Sequence, residues 1–339
     1  MTDDPLDQLP KVELHCHVEG TMRPATVLEL ADANGVALPT RDLDELYRYG
    51  SLNEFLAVFW LVQSCLKSRA DWARLAYESV VDGAAHGRVY AETFFTPARH
   101  MAEGQRLTDI VAGLTEGIEA AERETGARCM LIADMDKAYG PAAGLELVEA
   151  LADLEEKDRG RVIGLGMDST EIGVDPRSFE PAFMAAGRLG LHKTGHQGED
   201  TGPETIAACL DVLGLERIDH GLSLMQDPAL TRRMAQERIP LTVCPTSNIV
   251  IANRVKSLPE HPFGAMRAAG VLATLNTDDP AMTDLDLGRE YRAVADAYGW
   301  SFDDMVDISL DGVEACWLDD DAKRRLRARI NEEAANLRP

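Results

Sequence analysis

The chain has 339 residues, of which 45% are hydrophobic, and it carries a formal net charge of −24 at pH 7. A chain of this length and composition can bury a large core. The negative charge argues against nucleic acid and against an anionic membrane as partners, because both would repel the protein. The opening segment MTDDPLDQLPKVE lacks the basic and apolar regions of a signal peptide, and no apolar stretch reaches the roughly 18 residues of a membrane span.

Short apolar or β-branched runs alternate with longer helical patterns along the chain. The helical patterns include DWARLAYESVVDGAAHG, LTDIVAGLTEGIEAAERETG and PETIAACLDVLG, and several of them end in Gly, a common helix stop. The runs between the helical patterns predict eight strands, at residues 11–17, 88–97, 127–136, 161–169, 191–199, 216–221, 240–248 and 271–280.

Strands that alternate with helices predict βαβ units and a parallel sheet. Eight such units over residues 1–339 predict a single α/β domain, a closed (β/α)8 TIM barrel. The long segment 18–87 predicts extra helices between strands 1 and 2, over the mouth of the barrel. The segment 284–338 predicts further helices at the C-terminus, packed outside the barrel.

The six cysteines are widely scattered, without a Cys-x-x-Cys pair. In a chain of this length the pattern is typical of reduced cysteines, mostly in the core of a cytoplasmic protein. The cysteines are Cys16, Cys65, Cys129, Cys209, Cys244 and Cys316.

In a barrel of this type the chemistry takes place at the C-terminal ends of the strands. Half of the eight histidines lie at predicted strand ends, together with several carboxylates. These strand-end residues are His15, His17, Ser169, Glu171, His196, Glu199, His220, Asp278 and Asp279. We predict structural roles for the other four histidines: His86 near a helix end, His192 at the start of a strand, and His100 and His261 in solvated loops.

His15 and His17 point to the same side of the first strand and Cys16 to the other, because side chains alternate along a strand. Together with His196 and Asp278 they form a predicted open zinc site of three imidazoles and one carboxylate. Zinc lowers the pKa of a bound water toward roughly 7. The end of the fourth strand, GLGMDST, has no lysine to bridge a second metal, so we predict one Zn²⁺ per chain; iron or another divalent ion stays an alternative.

Five stretches resemble the adenosine and adenine deaminases, which are zinc-dependent purine aminohydrolases built as (β/α)8 barrels. The stretches are LPKVELHCHVEG, HQGE, ERIDHG, PLTVCPTSN and NTDDPA, in the family's order between residues 9 and 281. The resemblance implies that the four predicted ligands bind zinc and that Glu199 protonates the ring nitrogen beside the attacked carbon. It also implies that His220 orients the zinc-bound water and helps to accept its proton, and that Asp279 hydrogen-bonds a nitrogen of the imidazole ring.

The chemistry requires such a proton donor. Attack on an aromatic C–NH2 carbon disrupts aromaticity, so a proton must reach the ring nitrogen as hydroxide adds. A glutamate supplies that proton if a dry pocket raises its pKa. Two alternatives stay open: Glu199 as a salt-bridge partner at a strand end, and Asp279 as a residue that orients Asp278 or caps the next helix. The small cytidine-type deaminases are excluded, since the chain has no Pro-Cys-x-x-Cys pair.

Two departures from the adenosine-specific pattern resemble the adenine deaminase branch. Adenosine-specific members carry HxHLDG, where this chain has Glu19 in HCHVEG, and they carry Gly-Asp-Glu where this chain has DSTE at 168–171. The longer carboxylate of Glu19, with Ser169 in place of glycine, reduces the space for a ribose. We therefore predict conversion of adenine to hypoxanthine and ammonia, with Glu19, Ser169, Glu171 and Asp279 binding the substrate. Adenosine, 2′-deoxyadenosine and N6-modified adenines stay alternatives.

Gln197 stands where the family usually has a small residue and fits neither branch. Two other classes of protein stay open, a non-catalytic purine- or metal-binding relative and a metal-dependent phosphoesterase. Metal binding needs neither Glu199 nor His220, so their presence argues against the first. The acidic strand ends would repel a phosphate, which argues against the second; we expect the two exceptions, Lys137 and Arg99, at the rim.

Overall fold

The structure, a computed structural model, describes residues 4–338. All strand pairs within these residues are parallel, and they form two ladders, β1-β2-β3-β4-β5 and β6-β7-β8-β9. The strands are β1 Lys11–Glu13, β2 Arg88–Phe95, β3 Arg128–Asp136, β4 Val162–Asp168, β5 His192–Lys193, β6 His196–Gln197, β7 Ile218–His220, β8 Leu241–Val243 and β9 Ala273–Leu275.

The predicted fifth strand is interrupted. Thr194 and Gly195 separate β5 from β6, yet their backbone groups still bond to both neighbours: Thr194 N donates to Leu165 O at 3.1 Å and Asp219 N donates to Gly195 O at 3.0 Å. A Cβ at position 195 would lie 2.9 Å from Met167 Cγ, so the chain passes this point closely against β4. β5 and β6 therefore occupy one position in the barrel, and the two ladders together supply its eight strands.

The first and last strands meet at a seam that is held differently from the ladders. Leu14 N donates to the side-chain oxygen Oδ1 of Asn276 at 2.8 Å, and Asp278 N donates to His15 O at 3.1 Å. His17 N donates in turn to Asp278 O at 2.9 Å. These bonds close the sheet, and the predicted (β/α)8 architecture is confirmed.

Helices surround the strands and extend the barrel at both predicted places. Between β1 and β2 lie α2 to α5, and after β9 lie α15 to α17, so the predicted extra helices are confirmed. The helices are α1 Pro5–Gln8, α2 Pro24–Asn34, α3 Leu43–Leu46, α4 Leu52–Gln63, α5 Arg69–Ala85, α6 Ala98–Ala102, α7 Leu107–Thr125, α8 Gly140–Ala152, α9 Glu156–Arg159, α10 Glu180–Arg188, α11 Pro203–Ala208 (continued by a π-helical turn, Cys209–Leu213), α12 Pro228–Glu237, α13 Pro245–Val250, α14 Phe263–Ala268, α15 Leu287–Tyr298, α16 Phe302–Ala315 and α17 Asp320–Leu337.

Local sequence signals account for several of these boundaries. Ser68 with Asp71 and Ser301 with Asp304 form capping boxes that begin α5 and α16. Pro245 occupies the first turn of α13. Our predicted seventh strand, 240–248, is therefore wrong beyond Val243, because the chain turns into a helix at that proline.

Two histidine predictions are wrong in their environment. His100 lies within α6 and is 1% exposed, and His261 is 3% exposed, although we expected both in solvated loops. His100 is buried because its ring packs edge-on against Trp72, with centroids 4.7 Å apart, and its Nδ1 pairs with Gln105. Among residues 4–338, no helix combines the length and the apolar character that are needed to cross a lipid bilayer.

Candidate active site

A cavity of about 50 Å³ opens at the C-terminal ends of the strands. Helix α4 supplies much of its apolar wall, which confirms that the segment between β1 and β2 covers the mouth of the barrel. The apolar lining residues are Leu52, Phe55, Leu56, Phe59 and Ile251. The polar lining residues are His17, Asp168, Ser169, His196, Glu199, His220, Asp278 and Asp279.

The four predicted metal ligands converge beside this cavity. Nε2 of His17 lies 3.0 Å from Nε2 of His196. Oδ1 of Asp278 lies 3.2 Å from Nε2 of His15 and 3.4 Å from Nε2 of His17. All four side chains are buried, so three imidazoles and one carboxylate share a small space that is shielded from solvent.

The surroundings orient two of the imidazoles so that Nε2 faces the cluster. Thr242 donates its hydroxyl proton to Asp219 at 2.6 Å, so its oxygen accepts from Nδ1 of His15 at 3.0 Å. Nδ1 of His196 donates to the carbonyl of Met167 at 3.1 Å. Both rings therefore keep the lone pair on Nε2, which is the arrangement of imidazoles that bind metal.

The donor set fits a divalent transition metal. Nε2 of His15 is buried and has no hydrogen-bond partner among the described residues. A buried nitrogen without a partner is unfavourable unless something binds it. Ser247 donates to Oδ2 of Asp278 at 2.5 Å and leaves Oδ1 directed at the imidazoles. Three imidazole nitrogens and one carboxylate oxygen match the ligand chemistry of zinc.

Three strand ends adopt a left-handed backbone at the site. The φ angles of Ser169, His220 and Asp278 are 71°, 62° and 67°. Such angles are unfavourable for residues with a Cβ and occur where the surroundings enforce them, commonly at functional sites. Here they turn the chain sharply after β4, β7 and β9.

Glu199 and His220 form a second pair beside the ligand cluster. Oε2 of Glu199 lies 3.6 Å from Nε2 of His220, and the side-chain amide of Asn248 donates to Oε1 of Glu199 at 2.7 Å. Burial raises the pKa of Glu199 to about 7, against the opposing effect of His220. Burial alone would lower the pKa of His220, but the negative charges of Glu199 and Asp278 outweigh it and raise that pKa.

The four predicted substrate-binding residues divide into two groups. Asp279 and Ser169 line the cavity, whereas Glu19 and Glu171 do not. Glu19 is buried behind the cavity wall, where its Oε1 accepts from Thr96 N at 2.8 Å. Glu171 is directed at the segment 197–201.

Comparison with known proteins agrees with this geometry. The family model described as adenosine deaminase matches residues 10–333. The chain belongs to the adenosine deaminase family. The resemblance inferred from the five motifs is thereby confirmed.

Relatives within the adenosine deaminase family cover nearly the whole chain. An adenine deaminase of Streptomyces coelicolor is 36% identical over 98% of this chain and 97% of its own length. The solved structure of an adenine deaminase from Arthrobacter aurescens superposes with a TM-score of 0.91 at 30% identity and covers 96% of this chain and 98% of that one. A Burkholderia ambifaria amidohydrolase, solved with bound Zn, reaches 0.90 at 28% identity and covers 99% and 93% of the two chains.

In this member of the adenosine deaminase family, Glu171 holds the segment that carries Glu199. Its carboxylate accepts from Gly198 N and Glu199 N, both at 2.9 Å, and from the Gln197 amide at 3.0 Å. The hydroxyl of Thr201 is a further donor. Gln197, which fits neither branch of the adenosine deaminase family, is thus part of this hydrogen-bond network.

Lys137 lies elsewhere than expected. We predicted it at the rim, but it is 3% exposed and its Nζ donates to His196 O at 2.8 Å and to Ser169 O at 3.2 Å. The adjacent carbonyls and carboxylates can hold this charge inside the protein, whereas a phosphate could not reach it. The side chain links the ends of β4 and β6 beneath the site.

The motifs of the adenosine deaminase family drew attention to PLTVCPTSN, but sequence reasoning assigned no role to its last residue, Asn248. Besides Glu199, its amide contacts Nδ1 of His220 at 3.2 Å, and its Oδ1 lies 3.2 Å from Nε2 of His261. Asn248 lies on α13, which begins directly after β8. The rule that predicted the metal ligands, a polar residue just past a strand end, also applies to Asn248.

Proposed function

We propose that this protein is a zinc-dependent adenine deaminase, a hydrolase of C–N bonds in cyclic amidines that converts adenine and water to hypoxanthine and ammonia. The proposal rests chiefly on one observation. The Glu199–His220 pair lines the same small cavity as His17, His196 and Asp278, and His15 lies next to them, with its Nε2 3.2 Å from Oδ1 of Asp278. Metal binding alone would not require the Glu199–His220 pair. The presence of this pair therefore supports catalysis rather than mere binding. Relatives named adenine deaminase match almost the full chain, which supports adenine as the substrate.

His15, His17, His196 and Asp278 would hold one zinc ion. The partnerless Nε2 of His15 and the orientation of the His196 ring support this assignment. When bound, zinc acts as a Lewis acid that lowers the pKa of water toward roughly 7 and so supplies a nucleophile at neutral pH.

The chain's own residues then move the protons. Glu199 donates a proton to N1 of adenine, which makes C6 electrophilic as the water oxygen adds to it. His220 orients the attacking water and accepts its proton. The C6–N6 bond breaks with its electron pair on nitrogen, and the amine takes up a proton and leaves as ammonia. Hypoxanthine keeps the water oxygen at C6 and the proton at N1. The proton that remains on that oxygen restores the carboxyl group of Glu199, so atoms and charge balance.

The remaining residues bind the base or position the machinery. Asp279 and Ser169, which line the cavity, contact the substrate, with Asp279 at a nitrogen of the imidazole ring. Glu19 supports the cavity wall from behind, and Glu171 fixes the segment of Glu199. The core assembled around one barrel supports a single catalytic domain over residues 1–339. The cysteines, all free and buried in the described part of the chain, support a cytoplasmic compartment.

An ultraviolet purine assay with parallel detection of ammonia tests the proposal. Zinc-loaded protein is compared on adenine, adenosine, 2′-deoxyadenosine and N6-methyladenine, with Glu199→Gln as the inactive control. We expect kcat/KM to be highest for adenine by at least about 100-fold. A preference for adenosine or N6-methyladenine would change the proposed substrate but leave the proposed deamination reaction in place. Bound zinc without turnover of any of the four would contradict the proposal.

A further inference from the structure

Asp168, the last residue of β4, is a buried carboxylate to which neither the sequence nor the proposed mechanism gives a role. It lines the cavity and is 6% exposed. Oδ2 accepts a hydrogen bond from the Thr96 hydroxyl at 2.5 Å. Oδ1 is equally buried, but it has no hydrogen-bond partner within residues 4–338. One oxygen is therefore fixed by the protein and the other is free.

Thr96, which follows β2, holds two carboxylates at once. Its hydroxyl donates to Asp168, and its backbone N donates to Oε1 of Glu19 at 2.8 Å. Oε2 of Glu19 is buried without a partner in the described part of the chain, as is Oδ1 of Asp279. Three buried carboxylates therefore each keep one free oxygen, and Thr96 holds two of these carboxylates, Asp168 and Glu19, through their other oxygens.

Buried acceptors of this kind need a donor. A buried polar atom left without a hydrogen bond is unfavourable, and native structures contain few of them. Of the three carboxylates, Asp168 and Asp279 reach the cavity itself. A ligand that enters with an N–H group beside Asp168 satisfies Oδ1 and removes this penalty.

We propose that Oδ1 of Asp168 accepts the ring N–H of the imidazole ring of a free purine base and thereby makes Asp168 a specificity-determining residue. The inference rests on the proposed function, because it takes C6 of the purine to face Glu199. A free base carries one N–H on its five-membered ring. A nucleoside, or any N9-substituted purine, carries carbon in place of that proton and leaves Oδ1 buried and unpaired. Thr96 acts as the positioning residue that aims Asp168.

The experiment compares adenine with 9-methyladenine, which differs at the proposed contact and keeps the reacting amine. Steady-state kcat and KM are measured for the wild type and for Asp168→Ala, Asp168→Asn and Thr96→Val. Thr93→Val is the matched control: Thr93 is buried in β2, the strand that Thr96 follows, but its hydroxyl contacts Cys129 at 3.4 Å and it does not line the cavity. Zinc content and circular dichroism verify that each variant is folded.

We expect the wild type to prefer adenine by at least about 100-fold, as sites built around a substrate N–H do. Asp168→Ala lowers kcat/KM for adenine by about 100-fold, mainly through KM. Its kcat/KM for 9-methyladenine stays within about threefold of the wild-type value, so the preference for adenine is largely lost. Asp168→Asn, which retains an acceptor oxygen, restores part of the preference. Thr96→Val lowers the preference for adenine over 9-methyladenine, and Thr93→Val does not.

Two results would overturn the inference: no preference in the wild type, or equal losses on both purines in Asp168→Ala. If Asp168→Ala does not fold, Asp168→Asn and Thr96→Val decide in its place, and an unchanged preference in both overturns it. If the wild type deaminates neither purine, the proposed function fails on its own. The inference is then decided by calorimetric binding of adenine and 9-methyladenine, and equal affinities refute it.

Discussion

Glu199 lies where a carboxyl group keeps its proton at neutral pH, because burial raises its pKa to about 7. The proton donor is present below that pKa and is lost as the pH rises through it. We predict that kcat/KM for adenine falls as the pH rises above about 7. Glu199→Gln removes the donor and lowers kcat by about 10³-fold, with no change in zinc content. Stopped-flow or steady-state assays between pH 5 and 9 measure both effects.

The matched control for Glu199 is Glu204→Gln, an exposed glutamate at the start of α11. We expect it to keep both the rate and the pH profile of the wild type. If Glu199→Gln retained most of the activity, or if its residual activity still declined above about pH 7, another group would have to be the donor.

At the residue scale, the sequence predicted which side chains converge in the proposed metal cluster, but not the direction of every carboxylate. His15 and His17 follow from the alternation of a strand, and Asp278 from its place at a strand end. Glu171 is also a carboxylate that follows a strand end, yet it faces backbone amides. Between β4 and Glu171 the chain makes a left-handed turn at Ser169, with φ of 71°. Side-chain chemistry does not encode that turn, since serine rarely adopts it.

The segment 197–201 depends on one carboxylate from a neighbouring element. Glu171 accepts from two consecutive backbone amides and two side chains of that segment. In Glu171→Gln the amide NH2 replaces one acceptor and faces these donors. We predict that kcat for adenine falls about 10- to 100-fold with a smaller change in KM, because Glu199 is misplaced although the cavity wall is intact. Steady-state kinetics of the variant measure the split.

The control for this change is Glu180→Gln, an exposed glutamate at the start of α10. A loss confined to KM in Glu171→Gln would show that Glu171 contacts the substrate after all, as the sequence had suggested. Gln197→Ala provides a second readout: it removes one of the four donors, and we expect a smaller loss of kcat than in Glu171→Gln.

Helix α13 carries Ser247 and Asn248, and a buried glutamate of α15 anchors it. Glu290 accepts from the backbone N of Thr246 at 3.0 Å and from its hydroxyl. Burial raises the pKa of Glu290 to about 7, against hydrogen bonds that oppose the shift. The folded state therefore binds a proton that the unfolded state releases near 4.5, and this contribution to stability is lost as the pH rises from about 4.5 through about 7.

We predict that Glu290→Gln is about 1 kcal/mol less stable than the wild type at pH 5, because one acceptor becomes a donor. Between pH 5 and 8 the difference in free energy of unfolding between the two proteins shifts in favour of the variant by about 2–3 kcal/mol. The wild type loses stability as Glu290 ionises, whereas glutamine does not ionise. Urea denaturation at the two pH values measures the free energies of unfolding. Glu332→Gln, at an exposed position of α17, is the control, and a difference between variant and wild type that does not change with pH would contradict the prediction.

At the scale of elements, the sequence located every strand but not the extent of each. The predicted fifth strand is interrupted at Thr194 and Gly195, where the backbone passes closely against Met167 of β4. The seventh strand ends before Pro245, whose fixed φ suits a helix start. The first deviation depends on what the segment packs against. The second follows from a local signal of the sequence, as does the alternation of strands and helices that gave the barrel.

For the whole molecule, the closure of the barrel coincides with the proposed metal site. One ladder runs from β1 through β5 and the other from β6 through β9. The segments that follow β1 and β9 are joined instead by backbone hydrogen bonds of His15, His17 and Asp278 and by the side chain of Asn276. The ligands lie on both sides of this seam: two on the segment after β1 and one on the segment after β9. A bound ion would therefore link the first and last strands as well as serve the reaction.

We predict that zinc stabilises the seam more than the rest of the barrel. A ligand that binds only the folded state at 100 times its Kd adds about 2.7 kcal/mol, so chelation should lower Tm by several degrees. In hydrogen exchange, amides of residues 12–18 and 273–279 should gain the most protection when zinc is added to the metal-free protein. Asp278→Ala should abolish the response of Tm to zinc, whereas Asp284→Asn, at a 99% exposed side chain after the same strand, should retain it. Protection spread evenly over all strands would mean that the seam is already closed without the ion, and that the metal serves the chemistry alone.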